Sequence, residues 1–506
     1  MIYLKYFFST NRIRLALATV SAVLCSLSFH PIGCYFLAWI GLVPLLFAIE
    51  NMKPADGFRT GIVFGFVFSL CSLFWLVFLQ IDINIKILML FGLILMFLYF
   101  GVWYGTAVLF TRMTSVWLLP FAFAGLDFLR SLGELGFPWL CFGYSQARYP
   151  AIMQQASIYG VFGVTFWLVL VNVLVYKTLK AKSLKYAALL IVVFGLPLLY
   201  GGLRIRPATG TPVLVGVVQP NIDPNLKFTK AMRDETFVRL LNISEQCHNI
   251  GVTTFGNPPD IVFWPETATP VFLHMPGKHQ DQVRQLADRL HMAVFTGTPL
   301  YDPRTRDIYN GAVLVEPQIG ITQHYRKIHL VPFGEHIPFD QHVPLFKKID
   351  VGGGDYAPGS KYTVFQYKEA SFGCLICFES IFTDISRTMV RQGARFLVNI
   401  TNDGWFGTIS GPQQHNDMAI VRAVENGVPL VRSANTGISM IVDRYGRIQH
   451  ERGLFQEDHI VDHINITAER TLYTTFGDIL PVICLFIIGV STTAAIVKKR
   501  KTLLHH

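Results

Sequence analysis

Long apolar runs dominate the first 203 residues and return once near the C-terminus, with a stretch of quite different texture between them. From Leu15 to Ile49 there is no Asp, Glu, Lys or Arg, and only His30, Pro31 and Gly33 interrupt the run, which predicts two short helices joined by a turn. Between Arg59 and Arg112 the only charges are Asp82 and Lys86, so the stretch divides into helices over about 58–80 and 87–111. Further apolar helices are expected over about 113–130, 160–176, 185–203 and 479–497. A run of ~20 apolar residues crosses a bilayer as a helix, because only a helix pairs every backbone group internally in hydrocarbon. The pattern therefore predicts a polytopic membrane domain with about eight spans, seven in residues 1–203 and the last in 478–506.

Residues 204–477 read as a separate domain. Short apolar runs rich in β-branched residues alternate with helical patterns: Val213 to Val218, an amphipathic stretch over about 228–248, Ile261 to Trp264, Asp281 to His291, Ala293 to Thr296, Asn310 to Glu316, Arg395 to Thr401 and Ile438 to Asp443. Strands alternating with helices predict a layered α/β domain. The glycine run Val351 to Asp355 is followed by no helix pattern, so it reads as a loop and not as a phosphate cradle.

Composition sharpens this division. The chain has 506 residues, 52% of them hydrophobic and 15% charged, against roughly a quarter charged in soluble proteins. Its 43 Lys and Arg outnumber 33 Asp and Glu, for a formal charge of +10. No basic tract interleaved with aromatics accompanies that excess, so nucleic acid is not an expected partner. The placement of the charges explains it better. With the N-terminus in the cytoplasm, the inner loops hold Lys5, Arg12, Arg14, Lys53, Arg59, Arg112, Lys177, Lys180, Lys182 and Lys185, and the tail holds Lys498 to Lys501. The outer loops hold chiefly Lys86, Arg130 and Arg148. By the positive-inside rule, seven crossings put residues 204–477 outside, which in a bacterium means the periplasmic face of the inner membrane. Ser26-Leu27-Ser28 is also a passable cleavage site after a basic start, but the spans that follow favour a retained anchor. The eight cysteines are scattered and outline no disulfide framework.

Three segments of the α/β domain carry candidate chemistry. In Trp264-Pro265-Glu266-Thr267 a carboxylate follows an apolar strand, where α/β domains place their sites and where apolar surroundings raise a carboxyl pKa toward that of a base. A solvent-facing loop Glu fits the same residues. In Tyr325 to Glu335, Lys327 reads either as an oxyanion partner or as part of a basic turn. In Ser371 to Ser380 the β-rich run ends at Cys377, and Glu379-Ser380 offers a helix start, so the thiol is expected at a strand-to-helix elbow with a lowered pKa. Redox or metal chemistry of Cys374 and Cys377 is disfavoured, since residues three apart on a strand point to opposite faces and no second Cys/His pair completes a zinc site.

Glu266, Lys327 and Cys377 occur in the chain order of the Glu-Lys-Cys triad of the nitrilase superfamily, and the chain resembles it there. With the apolar spans and the inserted domain, the whole chain is similar to the apolipoprotein N-acyltransferase family. Further marks are Gly136-Phe137-Pro138-Trp139, Gly143-Tyr144-Ser145-Gln146, Val217 to Asn221, Asn402 to Gly407 and Arg432 to Ser439. The resemblance implies an αββα sandwich for 204–477, with Glu266 as general base, Cys377 as nucleophile and Lys327 on the oxyanion. It adds Glu335 and Glu379 as supporting acids, Phe378 beside the nucleophile, and Phe228 and Trp405 at the substrates. Phe228 and Phe378 stand where Trp and Tyr are frequent in the family. The implied reaction moves the sn-1 acyl chain of a phospholipid through a cysteine thioester to the α-amine of a diacylglyceryl-cysteine on an apolipoprotein, at a membrane and with no cofactor or metal. Two other readings remain at this level: a membrane-anchored amidase using the same triad on C–N bonds, and a non-catalytic lipid-binding or transport protein.

Overall fold

The computed structural model describes residues 2–79, 83–207, 209–223, 226–227, 229–339 and 356–504. The glycine run 351–355 and Phe228 lie outside the described residues. The chain forms two compact units, one of Met1–Ile205, Ile409–Gln414 and Phe476–His506, the other of Arg206–Thr408 and His415–Thr475.

The first unit is helical: α1 (Ile2–Ser26), α2 (Val43–Ala48), α3 (Pro54–Leu73), α4 (Ile83–Met113), α5 (Leu119–Leu129), α6 (Pro150–Met153), α7 (Ala156–Ala181) and α8 (Leu184–Arg204). Among the described residues, five helices are long and apolar enough to cross a membrane: 54–78, 89–113, 156–181, 184–204 and 479–502. Within the run 15–49, expected as two short helices, and over the span expected at about 113–130 lie shorter apolar helices, Tyr35–Ala48 and Val116–Leu129. Pro120 sits at the start of α5, where a residue without an N–H costs nothing. Helices α3 and α4 meet through glycines. A Cβ on Gly61 would lie 2.7 Å from the Gly105 Cα, and one on Gly65 would lie 2.9 Å from the Gly101 Cα. Two i, i+4 glycine pairs thus face each other, the small-residue seam by which apolar helices gain dispersion contact without a hydrophobic drive. Two motifs marked in the sequence serve this unit's packing: the Trp139 indole donates to Gln414 Oε1 (2.8 Å), and Gln146 accepts from the Trp39 indole (3.2 Å).

Among the described residues, the second unit has twelve strands: β1 (Thr211–Gln219), β2 (Ile261–Phe263), β3 (Ala293–Tyr301), β4 (Ile308–Glu316), β5 (Gly320–Arg326), β6 (Val364–Tyr367), β7 (Ala370–Ile376), β8 (Phe396–Thr401), β9 (Leu430–Ala434), β10 (Ser439–Val442), β11 (Ile448–Arg452) and β12 (Asp458–Ile466). They form two six-stranded sheets, ordered β12-β1-β2-β3-β4-β5 and β11-β10-β9-β8-β7-β6. The central strands β1, β2 and β3 run parallel, as do β7, β8 and β9, with antiparallel strands outside them. Phe263 and Phe295 of one sheet meet Phe372 of the other edge-on at 5.5 and 5.1 Å, so aromatic rings fill the seam between the sheets.

Helices α9 (Lys230–Ile250) and α10 (Lys278–Leu290) cover the outer face of the first sheet, burying Phe237, Leu240, Val283 and Leu286 against Val262, Val294 and Val313. Helix α11 (Thr383–Arg391) packs on β7 and β8. Helix α12 (Gly411–Asn426) follows β8, and α13 (Leu472–Phe476) and α14 (Ile479–Leu504) end the chain. The αββα layering expected from the sequence is the fold of this unit.

Candidate active site

Strand β2 ends at Phe263, and the following turn is pinned to β3: Trp264 N–H donates to Phe295 O (2.8 Å) and Gly297 N–H to Pro265 O (3.2 Å). Gly297 is required there, because a Cβ would lie 2.5 Å from Thr267 N and 2.7 Å from the Glu266 Cα. The turn delivers Glu266 buried, at 7% exposure, so the solvent-facing alternative does not hold. Its Oε1 accepts from Asn310 Nδ2 (2.8 Å) and Lys327 Nζ (3.3 Å), and its Oε2 from Asn402 N–H (3.0 Å).

Lys327 comes immediately after β5 and is 1% exposed, so it is no part of a basic surface turn. Its backbone donates to Asn310 O (2.8 Å) and accepts from Gly359 N–H (2.7 Å). The ammonium lies 2.9 Å from Glu335 Oε1 and 3.3 Å from Glu266 Oε1. Burial alone would favour the neutral amine, but the Glu335 and Glu266 carboxylates outweigh it and hold the lysine protonated, well above its ordinary pKa. Glu335 is fixed in turn by Asn310 Nδ2 (2.7 Å) and Val331 N–H (2.8 Å). Asn310 thus bridges the two carboxylates.

Strand β7 carries the chain straight to Cys377, which has φ of +50°. A non-glycine residue in that region costs ~1–2 kcal/mol and, at a strand end, projects its side chain in the manner of a nucleophile elbow. The sequence places a helix start at Glu379-Ser380; the structure has a short 3-10 turn over Cys377–Ile381, and α11 begins only at Thr383. The thiol therefore gains no long-helix N-terminus. Burial, reinforced by the charge of Glu266, pushes its pKa up, with Lys327 acting in the opposite direction. The expectation of a lowered thiol pKa is thus reversed in the resting protein, because apolar burial outweighs the cation. Cys374, on the same strand, is a separate buried free thiol.

Glu379, which the resemblance implies as a supporting acid, acts on the backbone around Lys327 and Cys377. Its Oε1 accepts from Tyr325 Oη (2.7 Å), Ile328 N–H (2.6 Å) and His329 N–H (3.3 Å), and its Oε2 from Ile376 N–H (2.7 Å). It ties the loop bearing Lys327 to the residue before Cys377 and makes no described hydrogen bond to the ammonium. Burial raises its pKa despite those donors. Phe378 is buried and meets Phe382 edge-on at 5.2 Å. Trp405 lies on a 3-10 turn, Asp403–Phe406, and is 41% exposed, free to meet an apolar ligand.

Asn310, Asn402, Asp403 and His415 had no role assigned from the sequence, although Asn402 and Asp403 lie in a marked segment. Cys377, Asp403 and His415 bring one potential metal-ligand atom each within 4.8 Å of the others. Those atoms are engaged: Asp403 accepts from Arg432 (2.6 Å), Thr401 (2.8 Å) and His415 (2.9 Å). A guanidinium already on the carboxylate does not fit a cation site.

Residues 214–472 match the carbon-nitrogen hydrolase family, and residues 21–174 match the apolipoprotein N-acyltransferase N-terminal domain. The chain is 33% identical to an apolipoprotein N-acyltransferase of Geobacter metallireducens, with 97% of this chain and 96% of that one covered. It is 31% identical to one of Chlorobaculum tepidum, with 92% of each covered. Among solved structures, Saccharomyces cerevisiae Nit3, a member of the nitrilase superfamily, aligns at 20% identity over 52% of this chain and 92% of its own, with a TM-score of 0.39. Two-domain similarity along nearly the whole length joins the apolar helices and the αββα unit in one lineage: the chain belongs to the apolipoprotein N-acyltransferase family.

Proposed function

We propose that the protein N-acylates apolipoproteins, using phospholipid as the acyl donor and Cys377 as the nucleophile. The observation that carries this reading is the buried Lys327 ammonium held between Glu266 and Glu335, on a loop that Glu379 ties to the residue before Cys377.

In the resting site the thiol is neutral. Glu266 takes its proton as sulfur attacks the sn-1 ester carbonyl, and the oxyanion that forms is met by Lys327 and the backbone N–H of Phe378. Collapse of the tetrahedral intermediate breaks the ester C–O bond. The proton on Glu266 passes to the leaving alkoxide, which departs as lysophospholipid, leaving a thioester. The α-amine of a diacylglyceryl-cysteine then attacks that thioester and gives a proton to Glu266. The C–S bond breaks, the thiolate recovers the proton, and the product is an amide. The sequence is ping-pong. The ester supplies the free energy, so the steps need neither nucleotide nor metal.

The same reading places eight spans in the bacterial inner membrane, with both termini cytoplasmic and residues 204–477 periplasmic. The distribution of Lys and Arg between alternate loops supports this, as does the apolar surface of the long helices, where Leu184, Ile191 and Phe486 are 72–85% exposed. Both substrates live at a membrane surface, and tethering the site there replaces their extraction into water. Trp405 and Phe228 are the residues proposed to meet the acyl chains.

The test is transfer itself. Purified protein in phospholipid micelles is given a diacylated lipopeptide with a free N-terminal amine, and product mass is followed. A gain of one acyl chain on the amine, absent with an N-acetylated peptide, supports the reading. Release of free fatty acid or ammonia without transfer would favour the amidase alternative.

A further inference from the structure

The strained backbone at Cys377 must be held by something, and the donors that hold it are within reach of a second network behind the nucleophile. The Cys377 carbonyl accepts from Ser380 Oγ (2.9 Å) and faces His415 Nε2 at 3.0 Å. A carbonyl oxygen only accepts, so Nε2 donates. The Ser380 hydroxyl, 2.9 Å from the same nitrogen, has its hydrogen on the carbonyl and accepts from the ring. The other ring nitrogen, Nδ1, lies 2.9 Å from Asp403 Oδ1, which also only accepts. Arg432 Nη2 lies 2.6 Å from Asp403 Oδ2 and 3.1 Å from Nδ1 and directs a hydrogen to the carboxylate, so the ring, donating at both nitrogens, carries a hydrogen on each. Arg432 is anchored by Ile438 O (3.1 Å) and by Asn399. His415, Asp403, Arg432, Ser380 and Asn399 are all fully or almost fully buried, so this ring has one orientation available to it.

We infer that His415 is a positioning residue for the nucleophile: oriented by Asp403, it donates Nε2–H to the Cys377 carbonyl and thereby holds the elbow at positive φ. Arg432 fixes Asp403, Asp403 fixes the ring, and the ring fixes the peptide that follows the nucleophilic carbon. That peptide carries the Phe378 N–H, so the same contact sets both the thiol and the proposed backbone oxyanion donor. The inference deepens the acyl-enzyme reading and rests on Cys377 being its nucleophile.

Three variants separate the contacts of the ring's two nitrogens. Gln in place of His415 puts an amide N–H near the position of Nε2, whereas Asn reaches only as far as Nδ1; Ala makes neither contact. Two rates are read: acylation of Cys377 by phospholipid across lipid concentrations, and alkylation of Cys377 by iodoacetamide, located by peptide mass. The second rate needs no lipid. His415→Asn and His415→Ala are expected to slow both about tenfold, the size of one lost hydrogen bond, with the half-saturating lipid concentration unchanged. His415→Gln is expected to restore most of each rate. Equal rates in all variants and wild type would overturn the inference, as would equal slowing in Gln, Asn and Ala, which would mark a purely structural role. If alkylation follows the predicted order while wild type never loads an acyl chain, the positioning role stands and the acyltransferase reading falls.

Discussion

Replacing Lys327 by Met keeps the length of the side chain and removes the charge from the centre of the site. The structure predicts two separate consequences. Lys327 is the cation within hydrogen-bond distance of both Glu266 and Glu335, at 3.3 and 2.9 Å and 1% exposure. Without it, the two buried carboxylates keep Asn310 Nδ2 and the Asn402 and Val331 N–H groups but have no cation between them, and like charges so placed cannot both stay ionised. One takes up a proton, and if that is Glu266 the base is lost. Independently, loss of one charged donor to the developing oxyanion costs ~3–4 kcal/mol, or 10²–10³ in rate. Acylation of Cys377 by phospholipid, followed by intact mass, should therefore slow by at least about 10²-fold. Lys327→Arg should not rescue it, because a planar fork does not fit a slot shaped for a point charge. Loading within tenfold of wild type in Lys327→Met would refute the assignment of this lysine to the oxyanion.

Glu379→Gln removes one of two acceptor oxygens from a group that receives Tyr325, Ile328, His329 and Ile376. It should leave a buried N–H unpaired and cost ~1–3 kcal/mol of stability, read as a lower midpoint of thermal unfolding. Lys227 is buried, and burial lowers its pKa from 10.5 to about 8, only partly opposed by Glu266. The folded state thus binds fewer protons than the unfolded chain between those two values, and stability rises with pH across that window. Lys227→Met should consequently stabilise the protein by up to about 3 kcal/mol below pH 8, and the difference between the two unfolding midpoints should vanish by about pH 10.5. Gly61→Leu forces a side chain against Gly105; separating α3 from α4 should lower the temperature of aggregation in detergent, whereas Gly92→Leu, with open space at its Cβ, should not.

The candidates at the ends of apolar strands, Glu266 and Cys377, were legible in the sequence as reactive side chains closing β-rich runs, although Glu266 taken alone fitted a solvent-facing loop as well and the family resemblance decided it. Lys327 was legible mainly through its chain order with them. What holds the three was not. Asn310 and Asn402 reach Glu266 from 44 and 136 residues away in the chain, and that convergence is a property of sheet order, which residue pattern does not encode. Asp403 stood in a marked segment without a role, and its partner His415, twelve residues on, carries no local signature of the contact. Strands β5 and β12 were missed for a simpler reason. They are polar, half-exposed outer strands, and residues such as Asp458, His459, Asp462 and His463 dilute the apolar alternation. The thiol was misread because Glu379 does cap a helix start at the Ile376 N–H, but the element it starts is only a 3-10 turn over Cys377–Ile381, and burial of the thiol outweighs it. The glycine pairs joining α3 and α4 were present in the sequence, but only the structure shows which pair faces which.

The central claim is an acyl chain carried covalently on Cys377 until an amine arrives. It is tested most directly by the intact mass of the protein after incubation with phospholipid alone, with Cys377→Ala as control. The account predicts a gain of one acyl chain on Cys377, removed by neutral hydroxylamine, stable to water over the assay and discharged by a diacylated lipopeptide with a free amine. No adduct on wild type, or an adduct equally present in Cys377→Ala, would contradict it.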